Sequence, residues 1–402
     1  MAQDFTVDRN SPKWVLGADG YLKEYANDEA AIEFNADGSY KGVLVEPESV
    51  NEAKASEDLD NATYWGVARV TIAGDTETDP KGGTNSFLLS ETVDNDTHFI
   101  FIPSGQRPSV GSGETWTNSI FVKKGNGANA PDIIQLLHGV DFGATSYANF
   151  DISVGGGTSG TVTASSGGTG RIRYYGNGWY RISFTATSTT SGDDNVIITF
   201  TNNNPTATRA PSYAGQTDAN VFVWGAQLEQ SPIATSYVAT TTGAVTRLKD
   251  DIFFTNASSV IGQSEGTLFV EVDWRLIDAN IFTVGSAGNN QIQIYKRADV
   301  FFATQIATAG GGQVFFQQEN ASGYTGVQKI AFAYKQDDCK VFRNGSEILS
   351  DNTVDLTGFN TMDKIYFGQS LSSSAQANMW IRDARIYNTR LTDTQCQDLT
   401  TL

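Results

Sequence analysis

The sequence predicts an all-β fold: two tandem β-sandwich or jelly-roll domains preceded by an extended N-terminal arm. Three observations lead there. β-Branched and turn residues recur while strong helix formers are sparse, apolar residues alternate with polar ones in short runs, and Gly, Asn, Asp and Ser clusters divide those runs at regular spacing. A length of 402 residues allows two or three domains, each able to bury a core without cross-links.

Residues 1–50 are expected to form the arm. Asp8-Arg9-Asn10-Ser11-Pro12 opens an irregular segment with turn signals at Asp19-Gly20 and Asp37-Gly38, and alternation is as brief as Gly42-Val43-Leu44-Val45. So little core pattern over such a length implies packing on another subunit. The first sandwich is assigned to 51–242, with strands at 64–72, 86–90, 98–102, 115–123, 132–138, 147–154, 160–164, 171–175, 179–186, 195–201 and 220–229. Gly155-Gly156-Gly157 and Gly167-Gly168 mark hairpin ends, and Asn202-Asn203-Asn204-Pro205 starts a polar loop reaching about residue 219.

A connector at 236–247 leads to the second sandwich, 243–402, with strands at 266–275, 280–285, 291–295, 300–304, 313–318, 328–335, 339–342, 364–368 and 377–387. Asn344-Gly345 is a hairpin turn because both residues tolerate positive φ. Thr392 and Gln395 have capping-box spacing for one short terminal helix.

The central strands are the most distinctive. In Gly178-Trp179-Tyr180-Arg181-Ile182-Ser183-Phe184, alternation puts Tyr180, Ile182 and Phe184 on one face. In Val221-Phe222-Val223-Trp224-Gly225-Ala226-Gln227-Leu228-Glu229 it puts Phe222, Trp224, Ala226 and Leu228 together, making Trp224 a core residue. With Thr235-Ser236-Tyr237 after them, these strands resemble a sugar-binding-module-like domain of bacteriophage tail and virion proteins, a likeness spanning 40–240. Val341-Phe342-Arg343-Asn344-Gly345 and Trp380-Ile381-Arg382-Asp383-Ala384-Arg385-Ile386-Tyr387-Asn388 with Leu391-Thr392-Asp393 are similar to laminin-G-like, concanavalin A-like lectin sandwiches, over about 260–402. The two resemblances imply a bacteriophage virion structural protein: a tail fibre, spike or capsid-decorating fibre with lectin-like domains for host-surface glycan adhesion. They also imply localisation in the virion, assembly in the host cytoplasm, anchoring to other virion proteins through the arm, and a homo-oligomer, first a trimer by analogy with fibres.

Composition limits the alternatives. A net charge of −18 would repel a polyanion, so no nucleic-acid partner is expected. No apolar run of about 18 residues occurs, so no membrane insertion is expected, and Met1-Ala2-Gln3-Asp4-Phe5 lacks the pattern of a secretory signal. Cys339 and Cys396 are too few for a disulfide framework and read as free thiols.

Candidate chemistry is thin. Glu271 and Asp273 share a strand face, as paired carboxylates of retaining glycanases do, but Arg275 and Leu276 stand where a further Glu would be needed. The chain is therefore expected not to be an enzyme and to have no catalytic residues; a glycan-degrading tailspike and a purely architectural capsid or tail decoration protein are the alternatives. His98 and His138 have no partner at zinc-ligand spacing, so no metal residues are assigned. No cofactor is expected, though the oxygen-rich loops Asp94-Asn95-Asp96, Gly192-Asp193-Asp194-Asn195 and Asp337-Asp338 leave calcium possible. Glycan contacts are assigned to the aromatic residues near turns, Tyr64, Trp65, Tyr174, Tyr175 and Trp179.

Overall fold

The computed structural model describes residues 5–153, 160–275, 279–286, 290–296, 301–307, 313–320, 326–357, 361–371 and 376–402. The expected hairpin end Gly155-Gly156-Gly157, the strand start at Val300 and Leu276 lie outside them. Two β-sandwiches account for most of the described chain, with one α-helix, Asp393–Thr400, capped as its Thr392 and Gln395 spacing predicts. All strand pairs within the four large sheets are antiparallel.

The first sandwich packs two six-stranded sheets. One runs Thr161–Ser166, Tyr147–Asp151, Ile133–Leu137, Ile197–Phe200, Phe99–Phe101, Gly66–Ala68. The other runs Gly168–Gly176, Trp179–Thr187, Thr115–Lys124, Asn220–Glu229, Ser86–Glu91, Val70–Asp75. Tyr180, Ile182 and Phe184 do face the core between them, beside Ile120, Ile134 and Phe150. The expected strand 64–72 is two strands in different sheets. Arg69, at φ 53°, breaks it, and its carbonyl is held by His98 Nδ1 at 2.8 Å.

The second sandwich packs two seven-stranded sheets, and here the expected arm is corrected. Thr6–Asp8 is the edge strand beside Asp251–Thr255, while Ile32–Phe34 and Tyr40–Val45 extend the opposite sheet from Met379–Tyr387. Val7 and Val45 lie in the same core as Leu268, Val270 and Phe332. The N-terminal segment thus belongs to the second sandwich, and the first is inserted into it. Chain exit and return run side by side, Ser49–Asn51 pairing antiparallel with Val245–Arg247. The segment reads as irregular because its strands are only three to six residues long, and the two that join it to the second sandwich, Thr6–Asp8 and Tyr40–Val45, pair with strands more than 200 residues away.

One hairpin, Lys13–Leu16 with Leu22–Tyr25, lies between the sandwiches. Alternation explains how it serves both: Leu16 packs with Trp179, Phe222 and Trp224 on the outer face of the first, and Val15 with Leu44 and Trp380 on the second.

Candidate functional site

The distinctive central motif is internal. Gln227 Oε1 accepts from Val238 N at 2.9 Å, and Glu229 accepts from Thr235 N at 3.0 Å and from the Thr235 and Ser49 hydroxyls at 2.7 Å each. Asn51 donates to the carbonyls of Ala226 and Val238 and accepts from Leu228 N. These bonds clamp the segments that leave and re-enter the first sandwich. A second, ionic clamp lies beside them: Asp250 pairs with Arg9 at 2.7 Å and Lys13 at 2.6 Å, and Glu46 with Lys13 at 3.1 Å, all deeply buried.

Gly225 corrects the expected face of the second central strand. At φ 64° it forms a bulge opposite Ile120, where the register shifts between Ser119 and Phe121. Ala226 and Leu228 therefore face the sandwich interior, whereas Phe222 and Trp224 point outward into the hairpin.

The aromatic residues assigned to glycan do not form a platform. Trp65 is 3% exposed and donates from Nε1 to the Ala55 carbonyl; Trp179 is 1% exposed and donates to the Thr78 carbonyl. Burial removes both as stacking surfaces. Tyr64 and Tyr174 are half-buried against the first core, with the Tyr174 hydroxyl accepting from Gly178 N. Tyr175 lines a cavity at the junction of the two sandwiches.

That cavity is a cleft of about 470 Å³. The first sandwich supplies Arg171, Arg173 and Tyr175 from one face of Gly168–Gly176, and Arg181 and Ser183 from the adjoining strand. The hairpin supplies Trp14 and Val15, and the loop after Glu229 supplies Ala234, Thr235 and Ser236. Glu33, Leu44, Arg275 and Trp380 come from the second sandwich side. Four arginines therefore line the cleft against one carboxylate.

The ring faces here carry cations. Lys81 lies 4.0 Å from the Trp14 centroid, Lys41 3.6 Å and Arg275 5.1 Å from that of Trp380, and Arg173 4.7 Å from that of Tyr175. Glu33 is enclosed between Arg173 and Trp380 Nε1, the latter at 2.6 Å; burial pushes its carboxyl up, yet Arg173 and Lys41 hold it below its ordinary value. Burial lowers the Arg275 guanidinium from its ordinary value. The sequence contains this cluster as an alternating Arg171-x-Arg173-x-Tyr175 face, but only the fold adds Arg275 and Glu33.

Other candidates are engaged elsewhere. Glu271 pairs with Arg382 at 3.2 Å. His138 is buried between the Asp194 carboxylate and the Phe184 carbonyl, each 2.8 Å away. In the acidic loops Asp96 pairs with Arg69, Asp193 with Arg107 and Asp338 with Arg390. Among the described residues, no three His, Cys, Asp or Glu side chains converge as a metal site. Cys339 and Cys396 are free and buried.

No family model and no curated protein matches the chain. Among solved structures it is similar to CBM40 of the Ruminococcus gnavus IT-sialidase bound to alpha2,3 sialyllactose, at 15% identity and TM-score 0.32, over 36% of this chain and 87% of that one. It is also similar to the binding domain of botulinum neurotoxin DC in complex with rat synaptotagmin II, at 18% identity and TM-score 0.32, over 38% of this chain and 39% of that one.

Proposed function

We propose that this chain is a bacteriophage virion structural protein, a tail fibre, spike or capsid decoration, that attaches the particle to host-surface glycans without cleaving them. The virion part rests on the resemblance of the central motif and of the closing strand and helix. The adhesion part rests on one observation, the arginine-lined cleft where the two sandwiches and the hairpin meet. Its size falls within the roughly 300–1,000 Å³ of small-molecule sites, and its guanidinium and hydroxyl groups suit sugar hydroxyls and acids. The enclosure of Glu33 by Arg173 and Trp380 and the pairing of Glu271 with Arg382 leave neither carboxylate poised for hydrolysis. A homo-oligomer, taken first as a trimer, would convert weak single contacts into avidity.

The test is to incubate the purified chain with host cells and host envelope polysaccharide. Retention on both without release of oligosaccharides is expected, together with labelling of intact particles by antibody against the chain. Oligosaccharide release would replace this reading with a glycan-degrading spike. Silence toward every glycan, with both sandwiches inaccessible in the particle, would make the chain architectural, a role that the wholly internal central motif would also serve.

A further inference from the structure

The charge of the cleft runs against that of the molecule. The chain carries −18 overall, yet the cleft holds four arginines and one glutamate, and that glutamate is already paired with Arg173. Among the described residues, no carboxylate lies within ion-pair distance of Arg171, Arg181 or Arg275. Arg181 is the sharpest case. It is 6% exposed, sits directly across from Arg173 in the sheet, and donates only to neutral oxygens, Thr235 O at 2.6 Å and Ser119 Oγ at 2.9 Å. Like charges placed opposite one another destabilise a strand pair, and a buried cation without a counter-charge is costly. Arg181 Nε and Ser236 Oγ, both buried, have no hydrogen-bond partner. Arg275 donates from Nη2 to the Ala234 carbonyl, which fixes its guanidinium at the cleft wall.

We propose that this cleft binds an anionic sugar residue, with its carboxylate or sulfate received by Arg171, Arg181 and Arg275 and a neighbouring hydroxyl by Ser236. The inference rests on the adhesion reading and narrows its ligand. Two features favour an acid over a neutral ring. Guanidinium groups present paired N–H donors that match a carboxylate or sulfate, and the ring faces that a neutral sugar would stack on carry Lys41, Lys81, Arg173 and Arg275. Glu46 and Glu33 act on Arg275 only from beyond ion-pair distance, and the anion supplies the direct partner that these arginines lack among the described residues.

The experiment applies the full chain to an array of hexuronate, sulfated and phosphorylated oligosaccharides beside neutral counterparts, including methyl-esterified hexuronate. R171Q and R275K are applied in parallel; Arg171 is exposed, so its variant keeps the fold. The expected result is binding of acidic members, lost on esterification and weakened about tenfold or more in R171Q, as for one hydrogen bond to a charged group. The acid class that binds separates carboxylate from sulfate and phosphate. Binding confined to neutral members, or acid binding indifferent to both variants, overturns the inference and leaves the adhesion reading standing. Silence on the array and on host polysaccharide overturns both.

Discussion

Lys41 shows how one side chain ties the cleft to pH. Burial first, then Arg173, brings its ammonium down to about 7, with Arg275 adding to them and Glu33 and Asp273 opposing. The unfolded chain keeps that proton to roughly pH 10.4, so the Lys41 contribution to folding stability rises with pH between those values. For an anionic ligand the sign is opposite. Protonation below about 7 adds a positive charge over the Trp380 ring, so affinity is expected to be higher at about pH 6 than at about pH 8, and K41M is expected to flatten the difference. Calorimetry at the two pH values checks this; a flat profile in the parent chain contradicts it. Burial likewise pushes the Cys339 thiol up to about 12 and the Cys396 thiol up to about 11. Both are expected to resist alkylation near neutral pH until the chain unfolds, and rapid labelling of the native protein would refute that. Among the aromatic residues, alternation correctly separated Trp179 from Tyr180. It could not reveal that the far face is also covered, because Leu16 and Leu22, which cover it, are more than 150 residues away in sequence.

At the scale of elements, period-two alternation recovered most strands of both sandwiches, since each has one face on a core. It failed where the backbone changes face. Gly225 moves Phe222 and Trp224 to the outer surface, and Arg69 sends one run into two sheets. A single positive-φ residue inside an apolar run is indistinguishable in sequence from ordinary alternation. The clamp between exit and return was similarly hidden, being assembled from Arg9, Lys13, Glu46 and Asp250. D250N leaves Arg9 and Lys13 with a neutral partner in place of a carboxylate and is expected to lower stability by about 3–5 kcal/mol, read as a fall in the denaturant midpoint; an unchanged midpoint would count against the clamp. Burial pushes the Glu46 carboxyl up, but Lys13 and then Arg247 hold it well below its ordinary value. Its stabilisation is therefore complete above roughly pH 4.3, the unfolded value, and is lost as the pH falls toward the folded one.

For the whole molecule, the sequence reading of an arm followed by two sandwiches becomes one sandwich inserted into another. The strands Thr6–Asp8, Ile32–Phe34 and Tyr40–Val45 complete the second sandwich before the first is made. A fragment of residues 243–402 is accordingly expected to stay unfolded or aggregate and to be rescued by residues 1–50 supplied in trans, as followed by circular dichroism; cooperative folding of the fragment alone would contradict the strand assignment. The insertion brings together the two sandwiches and the hairpin, and the arginine cleft exists only where they meet. A crystal structure of the full chain with an acidic oligosaccharide that binds on the array tests most directly whether this cleft holds the anion. Its anionic group is expected in the cleft, within hydrogen-bond distance of Arg171, Arg181 or Arg275. A ligand seated elsewhere, such as the polar hollow lined by Glu91, Asn129, Asn203 and Gln216, would contradict it.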